Sequence, residues 1–286
     1  MVDKHEASVQ LPVKDEEPPA YSRYEDEESQ ARYSPYCPLP STMNAYYQWS
    51  PPKAHTFHLC GASKEERLYL IELHSGRHNH ELLGRRPGLS LHNGTSIRDP
   101  VLATMGDEYE RDDMIYAFKL NTIIQLPPLQ PGSRGMTNET MRAAITDDRV
   151  AAFRFSLEVG VGEKMTRERF EWRKLPRSES DAKAGGFKLV RLPISSENGR
   201  EGFSSVFSSA ESCEVVATLG WAKGFSSLVQ AFSLRLLNSG NEMGERWTLM
   251  VLMTALRIWW LHVGGKANKA VISMAEKSHN KSSAPW

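Results

Sequence analysis

From about residue 54 to 240, apolar and polar residues alternate with a period of two, in short runs bounded by Gly, Pro, Asn or Asp. In VAAFRFSLEV, Phe153, Phe155, Leu157 and Val159 fall on one face and Arg154, Ser156 and Glu158 on the other. RERFEWRK sets Phe170 and Trp172 against Arg169, Glu171 and Arg173. GFKLVRL offers Phe187, Leu189 and Val190; EVVATLGW offers Val215, Ala217, Leu219 and Trp221; QAFSLRLL offers Phe232, Leu234 and Leu236. HTFHLC (55–60), ERLYLIEL (66–73), PVLAT (100–104) and NTIIQL (121–126) are earlier strand candidates. Such runs predict an antiparallel sheet with one wet and one dry face. No strand–helix–strand rhythm accompanies them, which disfavours a doubly wound or (β/α)8 fold. PRSESDAKAGG (176–186) and the serine-rich stretch 195–213 read as long loops, and Asn138-Glu139-Thr140 opens a short helix through Ala144.

One segment breaks the pattern. Between Trp247 and Val263, thirteen of seventeen residues are apolar, and they lie on every side of a helix. Glu245 favours a start and Gly264-Gly265 a stop, which predicts a helix over 245–263. A helix apolar all round is either buried in protein or sits in lipid. Seventeen residues rise only about 25 Å, short of the ~30 Å hydrocarbon core of a bilayer. Arg257 would cost about 2.5–3.5 kcal/mol near the membrane centre, which roughly cancels the gain from the aliphatic residues. The period-two strands supply the dry faces that such a helix needs. The expected fold is mainly β (α+β): an antiparallel many-stranded barrel enclosing a hydrophobic C-terminal helix, preceded by a disordered N-terminal arm. KAVISMAEK (269–277) is expected to add a last strand through Val271 and Met274.

Charge separates the first fifty residues from the rest. The whole chain is neutral, but residues 1–50 hold four basic and nine acidic residues, six prolines and six of the nine tyrosines. With so little Ile, Leu, Val or Phe, this segment cannot offset its ordering entropy. It predicts a disordered acidic Pro/Tyr-rich arm over 1–50, a barrel domain over 51–277 and a flexible tail over 278–286. Overall neutrality excludes a DNA-coating protein, so no nucleic acid is expected as partner. Three scattered cysteines make no disulfide framework, and the N-terminus has no apolar signal core. A cytoplasmic protein, at most peripheral to a membrane, is expected.

The stretches YYQWSP (46–51), FHLCG (57–61), ERLYLIELH (66–74), RPGLSLHNGTS (86–96), RFEWRK (169–174), GFKLVRL (186–192) and GERWTLMVLMTALRIWWL (244–261) resemble those of fungal proteins of the tubby C-terminal-like superfamily. That group joins tubby proteins, phospholipid scramblases and LURP-one-related proteins. The resemblance spans residues 50–277. It implies twelve strands closed around a central hydrophobic helix near the chain end. Because tubby domains bind phosphoinositides on a basic patch, it also implies that Arg167, Arg169 and Arg173, at steps of two on one strand, bind anionic membrane lipid. The chain lacks the cysteine-rich stretch and acidic calcium-type loop of scramblases, so a scramblase-like activity stands only as an alternative. The other alternative is a tail-anchored protein held by helix 247–263.

The arm holds the sharpest motif. Pro18-Pro19-Ala20-Tyr21 matches PPxY. Prolines pre-set a polyproline II backbone at little entropic cost, and the aromatic groove of a WW domain takes the tyrosine ring and the proline faces. The implied partner is a WW-domain protein, such as a HECT-type ubiquitin ligase, docking on Pro18, Pro19 and Tyr21. No catalytic motif is present, and no cofactor or metal is expected. His55, His58, Cys60, His74, His78 and His80 read as solvated side chains rather than ligands. Residues 160–164, glycine-bearing but lacking phosphate-loop spacing, read as a hairpin turn. Asn93 and Asn138 begin idle glycosylation sequons. The function expected is a non-enzymatic interaction or adaptor protein.

Overall fold

In the computed structural model the described residues are 39–47, 56–108, 120–129, 135–146, 149–160, 165–175, 185–193, 213–222 and 230–274. Twelve strands run through them in chain order. They are β1 (Thr42–Tyr47), β2 (Thr56–Cys60), β3 (Arg67–His74), β4 (Gly88–His92), β5 (Val101–Asp107) and β6 (Thr122–Leu126). The second half comprises β7 (Thr137–Ile145), β8 (Ala151–Val159), β9 (Thr166–Lys174), β10 (Gly186–Leu192), β11 (Val215–Trp221) and β12 (Gln230–Leu236). Each strand pairs antiparallel with its neighbours in sequence, and β1 pairs with both β2 and β12 to close a barrel. Closure removes the exposed sheet edges that otherwise invite aggregation.

Register puts the large apolar residues opposite one another. Phe153 faces Trp172 and Phe155 faces Phe170 across β8–β9, and Leu189 faces Trp172 across β9–β10. All of these are buried. At two places the strands approach too closely for any side chain. A Cβ on Gly88 would lie 2.1 Å from the Met105 carbonyl oxygen, and one on Gly186 would lie 2.1 Å from that of Leu219. Both glycines pair with another glycine, Gly106 and Gly220 respectively.

The helix α1 spans Glu245–Val263, the bounds expected from sequence. Residues 247–259 are buried without interruption, over more than three turns, so every face of the helix is covered. Its contacts come from strands spaced round the ring. Trp259 packs against Phe57 of β2 and Phe232 of β12, at 5.0 and 6.2 Å between ring centroids. Trp247 packs against Phe170 of β9 at 5.7 Å. Trp172 Nε1 donates to Thr254 Oγ1 at 2.9 Å, and that hydroxyl donates back to the Val251 carbonyl. Arg257 Nη2 donates to Asp107 Oδ1 at the end of β5. His262 stacks on Trp221 of β11 at 4.4 Å, and burial with the nearby Lys174 pushes its pKa down. Beyond Gly264, Gly265 takes a left-handed φ of 67° and the Lys266 N–H closes the helix on the Leu261 carbonyl. Among the described residues no helix is long and apolar enough to cross a membrane, so the tail-anchored alternative has no spanning segment in α1.

Three expectations are corrected. The arm predicted over 1–50 ends sooner: β1 buries Met43 and Ala45 and supplies the closing strand. Asn44, in the same strand, is held by the Gly61 carbonyl at 2.7 Å and by Gln230 at 2.9 Å. The helix predicted over 138–144 is instead part of β7, whose alternation buries Glu139 and Met141. The last strand predicted over 269–277 is helical over 269–274, because Asn268 Oδ1 accepts the Val271 N–H and caps the turn. Ile272 is its buried residue, while Met274 is exposed. Residues 1–38 and the tail at 278–286 lie outside the described residues.

Candidate functional site

Strand β9 carries the three arginines singled out from sequence. Alternation sets Arg167, Arg169, Glu171 and Arg173 on the face opposite Phe170 and Trp172. Antiparallel pairing with β8 brings Glu158 opposite Arg167 and Arg154 opposite Glu171. Arg167 Nη1 donates to Glu158 Oε1 at 2.5 Å, its Nη2 to Glu139 Oε2 at 2.6 Å and its Nε to Ser156 Oγ at 3.0 Å. Burial works against the charge on Arg167, but the two carboxylates outweigh it and raise its pKa. Arg173 Nε donates to Glu171 Oε1 at 2.6 Å, and Arg154 Nε donates to the other oxygen of the same carboxylate. Glu171 is buried beneath the two guanidinium groups. Arg169 is exposed.

The lattice continues past β9. Arg191 of β10 grips Glu168 with two bonds of 2.6 Å and lies 3.8 Å from Glu214. Arg246, in the first turn of α1, donates to Thr137 Oγ1 at 2.6 Å and to the Pro127 carbonyl, and lies 3.8 Å from Glu139. Five arginines (154, 167, 173, 191 and 246) thus meet five glutamates (139, 158, 168, 171 and 214). The charges sum to zero over three separate groups: Arg154 and Arg173 keep one positive charge over Glu171, Arg167 and Arg246 balance Glu139 and Glu158, and Arg191 leaves one negative charge with Glu168 and Glu214. What the sequence presents as a row of cations is mostly a set of partnered charges. An anionic headgroup would have to displace a carboxylate from Arg167 or Arg173, where each hydrogen bond is charge-assisted. Hairpin register carries part of this: the turn expected at 160–164 is one residue short of the observed pairing of Val159 with Thr166, which brings Glu158 opposite Arg167. Glu139 gave no such signal, since it belongs to a strand that reads as a helix.

The histidines form a second polar group. His74 and His80 lie 4.2 Å apart between ring centroids, and His74 Nε2 is 3.0 Å from Ser90 Oγ. His92 Nε2 lies 3.4 Å from Glu72 and its Nδ1 2.9 Å from the Asp99 carbonyl. His58 is held by the Thr95 carbonyl, and burial pushes its pKa down. Among the described residues no three His, Cys, Asp or Glu side chains are grouped to hold a metal ion. Nor is Ser90 with His74 and Glu72 a nucleophile triad. The same imidazole nitrogen faces both the hydroxyl and the carboxylate, and Ser90 has no exposed surface.

Pro18, Pro19 and Tyr21 lie outside the described residues, as do His55 and residues 161–164 of the β8–β9 turn. Comparison of the chain with protein-family models, with curated proteins and with solved structures finds no match.

Proposed function

We propose that this chain is a non-enzymatic interaction protein, a closed barrel that presents a PPxY segment to a WW-domain partner. The observation that carries the reading is Pro18-Pro19-Ala20-Tyr21 within an acidic, proline- and tyrosine-rich stretch that leads into β1, the strand that closes the barrel. A WW-domain ubiquitin ligase of the HECT type is the partner class it fits, and the cytoplasm is the compartment it implies. Capture of the full chain by an immobilised WW domain is expected to fall at least tenfold on Tyr21→Ala, since the ring fills the groove, a loss of about 1.4 kcal/mol or more. Equal capture of both proteins rejects the motif.

The same reading places α1 inside the barrel as its core. Support comes from unbroken burial over 247–259 and from partners on β2, β5, β9, β11 and β12. A twelve-stranded antiparallel barrel with one very apolar C-terminal helix is also what kinship with the tubby C-terminal-like superfamily entails. Contact of Arg167, Arg169 and Arg173 with an anionic membrane surface is a further part of the proposal, supported by the exposure of Arg169 and by the one positive charge that Arg154 and Arg173 together keep over Glu171. Co-sedimentation with phosphoinositide vesicles that Arg169→Glu abolishes would support this contact; sedimentation indifferent to that change would reject it.

A further inference from the structure

At the C-terminal end of α1 lies a cavity of about 120 Å³, open to solvent on one side. Asp107, Arg257, Trp260, Leu261 and Lys266 contribute to its wall. Arg257 reaches it from inside the fold, 3% exposed, with Nη2 committed to Asp107. Lys266 follows the helix cap that the Leu261 carbonyl anchors, and among the described residues its ammonium meets no carboxylate. Two cations and one carboxylate leave one positive charge at the cavity. Being partly screened from water, that charge attracts an anion more strongly than a surface lysine would. The volume is well above the about 10–15 Å³ that a single water needs, so a small anion fits.

We propose that this cavity binds a phosphate group, held between Arg257 and Lys266 beside Trp260. The Arg257 guanidinium supplies positive charge at the closed side, and Lys266 meets the anion from the open side. Asp107 holds the guanidinium in place and limits the site to one anionic group. The inference stands apart from the WW-docking reading, because neither the arm nor strand β9 takes part in it.

Calorimetric titration of the full chain with inorganic phosphate in chloride buffer tests it. One saturable site of about 1 mM or tighter is expected. Lys266→Ala, a change at a half-buried side chain with no partner to orphan, is expected to weaken it at least tenfold without moving the thermal midpoint. Asp107→Asn removes the competing charge and is expected to tighten it. A second arm uses phosphatidylcholine vesicles with and without phosphatidic acid. Phosphatidate-dependent co-sedimentation that Lys266→Ala removes assigns the group to a lipid headgroup, whereas binding of inorganic phosphate alone assigns it to a free phosphate. No saturable binding in either arm, or binding that Lys266→Ala leaves unchanged, overturns the site.

Discussion

Replacing Asp107 with alanine is expected to lower the free energy of unfolding by about 3 kcal/mol, the lower end of the range for breaking a buried ion pair. Among the described residues Asp107 is the one hydrogen-bonding partner of the Arg257 guanidinium, whose side chain is 4% exposed, and removing it leaves that charge unpaired in the buried stretch of the helix. The adjoining cavity lets water reach one side of the orphaned group, which keeps the loss from being larger. A double variant, Asp107→Ala with Arg257→Met, removes both charges and keeps an unbranched apolar side chain on the helix. It is expected to recover most of the loss, because the stability sits in avoiding an unpaired charge rather than in the pair itself. Urea unfolding of wild type, both single variants and the double variant gives the coupling directly. A single-variant loss below about 1 kcal/mol, or a double variant no better than Asp107→Ala, contradicts the pairing.

Trp172→Ala is expected to be at least as damaging, costing about 3–5 kcal/mol. The side chain is fully buried on β9, faces Phe153 and Leu189 on the flanking strands and bonds to Thr254 of α1. Truncation opens a void where sheet and helix meet, and close-packed neighbours refill it only in part. Trp172→Phe separates the two contributions. It keeps most of the ring and gives up the indole donor, while the Thr254 hydroxyl retains its bond to Val251. A loss near 1 kcal/mol from the missing hydrogen bond, with a smaller void, is expected for it. Thermal and urea unfolding of the pair check the order. If alanine and phenylalanine cost the same, packing between β9 and α1 is not what Trp172 provides.

Strands with large residues on the dry face were legible in the sequence because each satisfies period two by itself. β8, with Phe153, Phe155 and Leu157, and β9, with Phe170 and Trp172, needed no partner to be recognised. The helix was equally plain, since Glu245 and Gly264-Gly265 bracket a run too apolar for any surface. β1 was hidden because the buried apolar side chains described in it, Met43 and Ala45, make a weak pattern, and its Asn44 finds partners only once β2 and β12 are in place. β7 was hidden because one of its buried positions is Glu139, a residue that belongs on a solvated face unless Arg167 and Arg246 come from elsewhere in the fold to meet it. In β11 a bulge opposite Leu189–Val190 buries Val216, where strict alternation expects Val215. The carboxyl-terminal turn was misread because Val271 and Ile272 favour strand, yet Asn268 immediately before them caps a helix. Two of the β9 arginines meet carboxylates that a single strand does not reveal: Glu139 of β7 and Glu158 of β8 reach Arg167, while Arg173 shares Glu171 of its own strand with Arg154 of β8.

The claim on which the account depends is that α1 forms the interior of the barrel. Hydrogen exchange on the full chain, read by mass spectrometry over peptides covering 245–263, tests it most directly. With the helix sheltered on all sides, the amides from Leu249 to Leu261 are expected to exchange only through global unfolding, as slowly as those of β8 and β9, and to lose protection in step with them as urea is added. Exchange of that helix within seconds to minutes while the strands remain protected would show that it lies outside the sheet and would contradict the account.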